Sequence, residues 1–250
     1  MEVHAHSHTE RKKFTHYLWE FLMLFLAVFC GFLAENFREQ QVEHRLEKEY
    51  LKDLVQNLAA DTVMINGSIR FAKNIVQGLD SLKQNLYSEN VLKNTVLIYR
   101  QAFTYCRLVN PRFNDQTITQ LRNSGNLRLV KKKEITDKIS TYWNAIVTTT
   151  MISEKIADHV DFSQQAAYKI FNGKYVKDLD SITDTGFKLY SIDPTAQFLT
   201  NDKITLVAYA NSLNRLAATI SSFYINNMLN DKSQAIELIQ LIQKEYYLKN

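Results

Sequence analysis

The sequence predicts an all-α protein: one N-terminal transmembrane helix followed by a soluble domain of bundled long helices, with at most a short strand between residues 174 and 201. Three observations carry this. Glycine and proline are scarce, six and two in 250 residues, whereas sheet-rich folds place them at many tight turns. Near the N-terminus a run of apolar residues contains no polar side chain, as a helix crossing a bilayer requires. From Leu51 to Leu86 apolar residues recur at three- and four-residue steps, the period of a helix with one buried face. The chain accordingly divides into a flexible basic, histidine-containing tail (1–16), a transmembrane helix (17–37) and a helical soluble domain (38–250).

The apolar run is FLMLFLAVFCGFLA, Phe21 to Ala34. With Tyr17, Leu18 and Trp19 before it and Asn36 and Phe37 after it, the segment reaches about 20 residues, enough for a ~30 Å hydrocarbon core. Glu20 and Glu35 then fall near the two interfaces, and Tyr17 and Trp19 suit the aromatic belt. A cleaved signal peptide is the competing reading. A cut after Ala34 would put Phe32 where a small residue is wanted, so an uncleaved signal anchor is preferred. Arg11, Lys12 and Lys13 precede the span, while Arg38, Arg45 and Lys48 follow it. The basic counts tie, and the short basic tail ahead of a single first helix favours a cytoplasmic N-terminus. The soluble domain is then extracytoplasmic, on an inner-membrane anchor.

In the soluble part, the stripe Leu51, Leu54, Leu58, Asp61, Ile65, Ser68, Ala72, Ile75, Leu79, Leu82, Leu86 is apolar except at Asp61 and Ser68. Val55, Ile69 and Val76 widen it beyond a two-stranded seam, which favours a bundle. Gly67 and Gly78 are candidate kinks or breaks. A second helix is expected over Asn94–Val109, stopping before Pro111. Asp115 or Thr117 then caps a short helix that ends at Gly125. Asn126 to Val130 reads as a short extended segment, with Leu127 and Leu129 on one face. A long helix from about Lys133 to Gly173 has Ile135, Ile139, Tyr142, Ile146, Ile156, Val160, Ala167 and Ile170 inward. Residues 174–201 lack helical period and read as a long loop with a short strand near Phe187–Ile192. Two closing helices follow, Asp202 to about Met228 and about Ser233 to Tyr247.

The segments EFLMLFLAVFCGFLAENFRE, EKEYLKDLVQNLAADT and ITQLRNSGNLRLVKKKEITDKISTYW together resemble an uncharacterised Bacteroidota family of single-span membrane-anchored proteins, a domain of unknown function. The most specific piece is Leu121 to Val130, and Phe37 stands where that family usually has Trp. The resemblance implies a basic tail, one span and a cytoplasmic N-terminus. It implies no activity.

Candidate chemistry is sparse. His4, His6 and His8 alternate in the tail and could grip a transition metal only loosely, because nothing fixes their geometry. Glu20 could be an intramembrane proton site, but it lies close enough to the interface to snorkel. Glu154, Asp158 and Asp161 share a helical face beside His159, without the paired Glu-x-x-His motifs of a di-iron bundle. A solvated acidic face is the expected reading. Cys106, between Tyr105 and Arg107, would need His159 beside it to act as a nucleophile, and a buried structural thiol is expected instead. The two cysteines, Cys30 and Cys106, form no disulfide framework. Gly125 reads as a helix C-cap with φ > 0; the competing reading has its turn present Asn123, Asn126 and Arg128 to a partner. No G-x-G-x-x-G, P-loop, G-x-S-x-G or H-E-x-x-H occurs.

The expectation is therefore a non-enzymatic, single-pass envelope protein that binds the lipid bilayer and another envelope protein or itself. Ala27 and Gly31, four residues apart, could form a homodimer contact in the span. No catalytic, cofactor or metal residues are assigned. The net charge of +4 is diffuse, with one short cluster at Arg128 and Lys131–Lys133, and argues against nucleic acid. The tail before the span is too short for a signalling output domain. The alternative is a ligand-binding or enzymatic helical domain with a site assembled from distant residues, near Tyr105, Cys106 and the 174–201 loop.

Overall fold

Six α-helices and one β-hairpin make up the computed structural model, which describes residues 14–183 and 186–247. In chain order these are α1 (Phe14–Tyr87), α2 (Thr95–Tyr105), α3 (Gln116–Asn123), α4 (Lys133–Ala167), β1 (Val176–Ile182), β2 (Lys188–Ile192), α5 (Lys203–Thr219) and α6 (Ile225–Tyr246). The fold is all-α apart from the hairpin. The chain divides into two compact units, Met1–Glu49 and Tyr50–Asn250, and α1 runs through the division.

In the first unit, every residue from Phe14 to Gln41 is exposed, including the whole Phe/Leu run. This part of α1 is long and apolar enough to cross a membrane, and none of its apolar window is buried.

In the second unit, α1 buries the expected stripe. Leu51, Leu54, Leu58, Asp61, Ile65, Ala72, Ile75, Leu79, Leu82 and Leu86 are all buried, and Ser68 is half-buried. The helix is not split at either glycine. Gly78 has another role: a Cβ there would sit 2.2 Å from the ring of Tyr105. The missing side chain lets that ring lie directly on the α1 backbone.

The buried apolar residues form two clusters. One gathers Leu51, Leu54 and Leu58 with Ile118 of α3, Ile135, Ile139 and Ile146 of α4, and Leu238 and Ile242 of α6. The other runs from Ile65 to Leu86 and takes in α2, the far part of α4, the hairpin and α5. Between them each long helix carries polar residues: Asp61 on α1, Thr149 and Ser153 on α4, Asp231 on α6, all buried.

Four local expectations are corrected. The second helix ends at Tyr105, not Val109: Cys106 leaves helical geometry (ψ 78) and the chain continues unwound, with Cys106 and Val109 still buried. Residues 126–129 form a 3₁₀ turn rather than an extended segment. A tight turn buries Leu129 and Val130 while Leu127 stays half-buried, so alternation was a misleading guide over so few residues. The long helix ends at Ala167 and gives way to turns before the buried Ile170. The last two helices do not separate at Asn230–Lys232. They join through a π turn, Ile220–Tyr224, and helix continues across the polar run because Asp231 faces inward. The strand expected near Phe187–Ile192 is β2. Its antiparallel partner β1 pairs Val176 with Ile192 and Asp178 with Tyr190. Asp202 caps α5, accepting hydrogen bonds from Thr205 N and Oγ1 at 2.9 and 2.7 Å.

Candidate functional site

A cleft of about 560 Å³ opens in the second unit, within the ~300–1,000 Å³ range of small-molecule sites. Four parts of the chain build it. The end of α2 and the unwound stretch after it supply Phe103, Cys106 and Arg107. One turn of α4 supplies Val160, Asp161 and Gln164. Phe171 follows α4, Tyr190 comes from β2, and Tyr209 comes from α5. The early end of α2 matters here, since a helix continued to Val109 would turn Arg107 and Leu108 along the helix surface.

The walls are mostly aromatic and mutually packed. Phe103 lies edge-on to Phe171 (6.1 Å between centroids) and tilted against Tyr190 (5.8 Å), and Phe171 lies edge-on to Tyr209 (5.6 Å). Tyr99 ties this wall to the following loop: its hydroxyl donates to Gln197 O (2.7 Å) and accepts from Asn172 N (2.8 Å). Two cleft-lining residues carry buried polar atoms without a hydrogen-bond partner, Arg107 Nη1 and the Tyr209 hydroxyl. Burial pushes the Tyr209 hydroxyl well above the usual tyrosine range. The Arg107 guanidinium lies over the rings of Phe71 and Phe187, 5.6 and 5.8 Å from their centroids. Among the described residues no carboxylate pairs with it.

Cys106 is part of this wall. Burial pushes its thiol up to about 12, so it is protonated at neutral pH and a poor nucleophile. No hydrogen bond joins it to an imidazole among the described residues. His159 is half-buried, and desolvation, reinforced by Arg215 and Lys155, pushes its pKa down.

The other predicted residues are dispersed. His4, His6 and His8 lie outside the described residues. Glu20 meets His16 Nε2 at 3.0 Å. Ala27 and Gly31 are exposed, and a Cβ added at Gly31 meets nothing within 4 Å. Glu154, Asp158 and Asp161 are exposed, with Asp158 paired to Lys155 at 2.9 Å. Among the described residues no three His, Cys, Asp or Glu side chains converge as a metal set. Gly125 has φ +70 just after the C-cap of α3, the geometry expected of it. The Asn126 amide donates to Tyr50 Oη at 3.1 Å, whereas Asn123 and Arg128 are exposed.

Sequence reasoning missed the buried polar layer. Asp61 accepts from Tyr142 Oη (2.6 Å) through one oxygen and from Asn114 N and Nδ2 (2.8 Å each) through the other. Asp231 accepts from Thr149 Oγ1 at 2.6 Å, and its other oxygen is buried without a partner. Burial raises the Asp231 carboxyl to about 6. The available signal was an aspartate standing at a core position of the apolar stripe.

No family model matches the chain, and no curated protein or solved structure matches it.

Proposed function

We propose that this protein is a single-pass, membrane-anchored binding module of the cell envelope, without enzymatic activity. In this reading the N-terminus is cytoplasmic and the bundle lies on the extracytoplasmic side of the inner membrane. One observation carries the anchoring: within a single unbroken helix, a run of Phe, Leu, Val and Met side chains is exposed all round. In water that surface would be costly, at ~25 cal/mol per Å² of apolar area, and a bilayer removes the cost. Tyr17 and Trp19 at one end, and Glu35 with Arg38 (2.5 Å) at the other, suit the two interfaces. The protonated Cys106 thiol and the hydrogen-bonded Asp61 support a binding role over catalysis. The partner in this reading is another envelope protein or a second copy packed through Ala27 and Gly31. The Leu121–Val130 sequence supports membership of the uncharacterised Bacteroidota family.

Orientation is tested with a Glu89→Cys variant, in the exposed turn after α1, lacking the two native cysteines. Labelling of intact spheroplasts by a membrane-impermeant maleimide is expected. Labelling only after lysis would place the bundle in the cytoplasm. For the dimer, Gly31→Leu should lower the crosslinked yield in membranes, and an unchanged yield would remove that contact.

A second reading, a bundle that binds a small ligand, is favoured by the aromatic cleft and its two unpartnered donors. It needs no change in the anchoring.

A further inference from the structure

We infer that the cleft between α2, α4, β2 and α5 binds a small amphipathic organic acid, its apolar body against the aromatic wall and its carboxylate at Arg107. The inference rests on the ligand-binding reading above and names the ligand's chemistry.

The body is specified by the wall. Phe103, Phe171, Tyr190 and Val160 present ring and branched surfaces, and such walls favour aryl or branched alkyl groups over polar ones. The head is specified by what the cleft lacks. Among the described residues its lining holds two buried polar atoms without a partner: Arg107 Nη1, which can only donate, and the Tyr209 hydroxyl, which is free to donate to the same acceptor. A buried donor without an acceptor costs roughly 1–3 kcal/mol, and an acceptor-bearing ligand removes that cost. Among the described residues Arg107 is also a cation without a carboxylate partner, its guanidinium lying over the faces of Phe71 and Phe187. A guanidinium in that state matches a carboxylate in charge and in its forked geometry. The other charged lining residue, Asp161, is exposed; water satisfies it, so it makes no matching demand for a cation.

The test uses the full chain in lipid nanodiscs and fluorine NMR line broadening of 3-(4-fluorophenyl)propanoate, with empty nanodiscs as the blank. The matching primary amide, which keeps the body and loses the charge, is the control. The acid should broaden saturably and the amide at least five-fold less. Arg107→Gln should abolish that preference while leaving the melting temperature within a few degrees. Gly173 also lines the cleft, and a Cβ there meets nothing within 4 Å. Gly173→Trp should therefore reduce binding of acid and amide alike without unfolding the bundle. Equal binding of acid and amide, or an acid preference that survives Arg107→Gln, would overturn the carboxylate assignment while leaving the cleft a ligand site. Absence of saturable binding by either probe would overturn the assignment and the ligand-binding reading together, without touching the anchoring.

Discussion

The two halves of α1 are made from similar residues and behave in opposite ways. From Phe21 to Ala34 the helix is apolar on every side and exposed on every side. From Leu51 to Leu86 it is apolar along one stripe, and that stripe is buried. Hydrophobicity alone does not decide burial; its angular distribution does. A stripe is satisfied by neighbouring helices, whereas an apolar cylinder needs an apolar solvent.

The sharpest way to break this comparison is to truncate a leucine in each half. Leu54 is fully buried, so Leu54→Ala should cost the bundle about 3 kcal/mol, within the range of core leucine truncations. Leu24→Ala, in the exposed run, should leave the bundle's melting temperature unchanged. Thermal unfolding of the full chain in a Trp19→Phe background, followed by Trp143 fluorescence, reads both. A comparable loss from Leu24→Ala would mean that the run helps hold the bundle together.

Glycines sharpen the same contrast. Gly78→Ala forces the Tyr105 ring off the α1 backbone and should cost about 2 kcal/mol as an overpacking change. Gly31→Ala meets open space and should cost the bundle nothing. If Gly78→Ala melts like wild type, the ring-on-backbone contact does not limit the fold.

Charge gives a third contrast. Glu20 and Glu35, which flank the apolar run, are exposed, while Asp231 is shut inside the bundle and its carboxyl is raised from 3.8 to about 6. Thr149 and Ser153 of α4 share its buried layer, Asp61 of α1 is bonded to Tyr142, and Tyr224 of the π turn is nearby. A raised carboxyl pKa means the folded state holds its proton more tightly. The contribution of Asp231 to stability should therefore be greatest below about pH 4, fall as pH rises to about 6, and stay level above that. Asp231→Asn should flatten this slope and stabilise the bundle at pH 7.5. The gain should be about 2 kcal/mol, less than the ~3 kcal/mol of a two-unit shift, because the Thr149 hydroxyl then donates to a neutral amide rather than a carboxylate. An unchanged slope would locate the pH dependence elsewhere.

The turn at Gly125 carries smaller effects, the largest of them from Gly125→Val. Its φ of +70 is strained for a β-branched residue, but the space around it is open, so a loss of roughly 1–2 kcal/mol is expected. Asn126→Ala should lose a few tenths through the Tyr50 bond, and Arg128→Ala nothing. A wild-type melt for Gly125→Val would reopen the partner-binding reading of that turn.

Much of the fold was legible because helical period over long segments is a strong signal. The α1 stripe, the core face of α4, the start of α5 near Asp202 and the φ > 0 at Gly125 all follow from residue type and spacing. What failed was short or polar. Leu127 and Leu129 could not distinguish a 3₁₀ turn from a strand, and the polar run around Asp231 imitated a helix end because side-chain burial is set by α4, not by local sequence. The region of the cleft was visible in the pairing of Tyr105 and Cys106 with the 174–201 loop. Its donors were not, because Arg107 and Tyr209 come to one cleft only after the fold is complete, and no motif joins them.

Fractionation of the full-length chain tests the anchoring most directly. Membranes washed with high salt and alkaline carbonate should retain the protein in the pellet, and only detergent should release it, while residues 39–250 alone remain soluble and helical by circular dichroism. Full-length protein recovered in the soluble fraction without detergent would contradict the account.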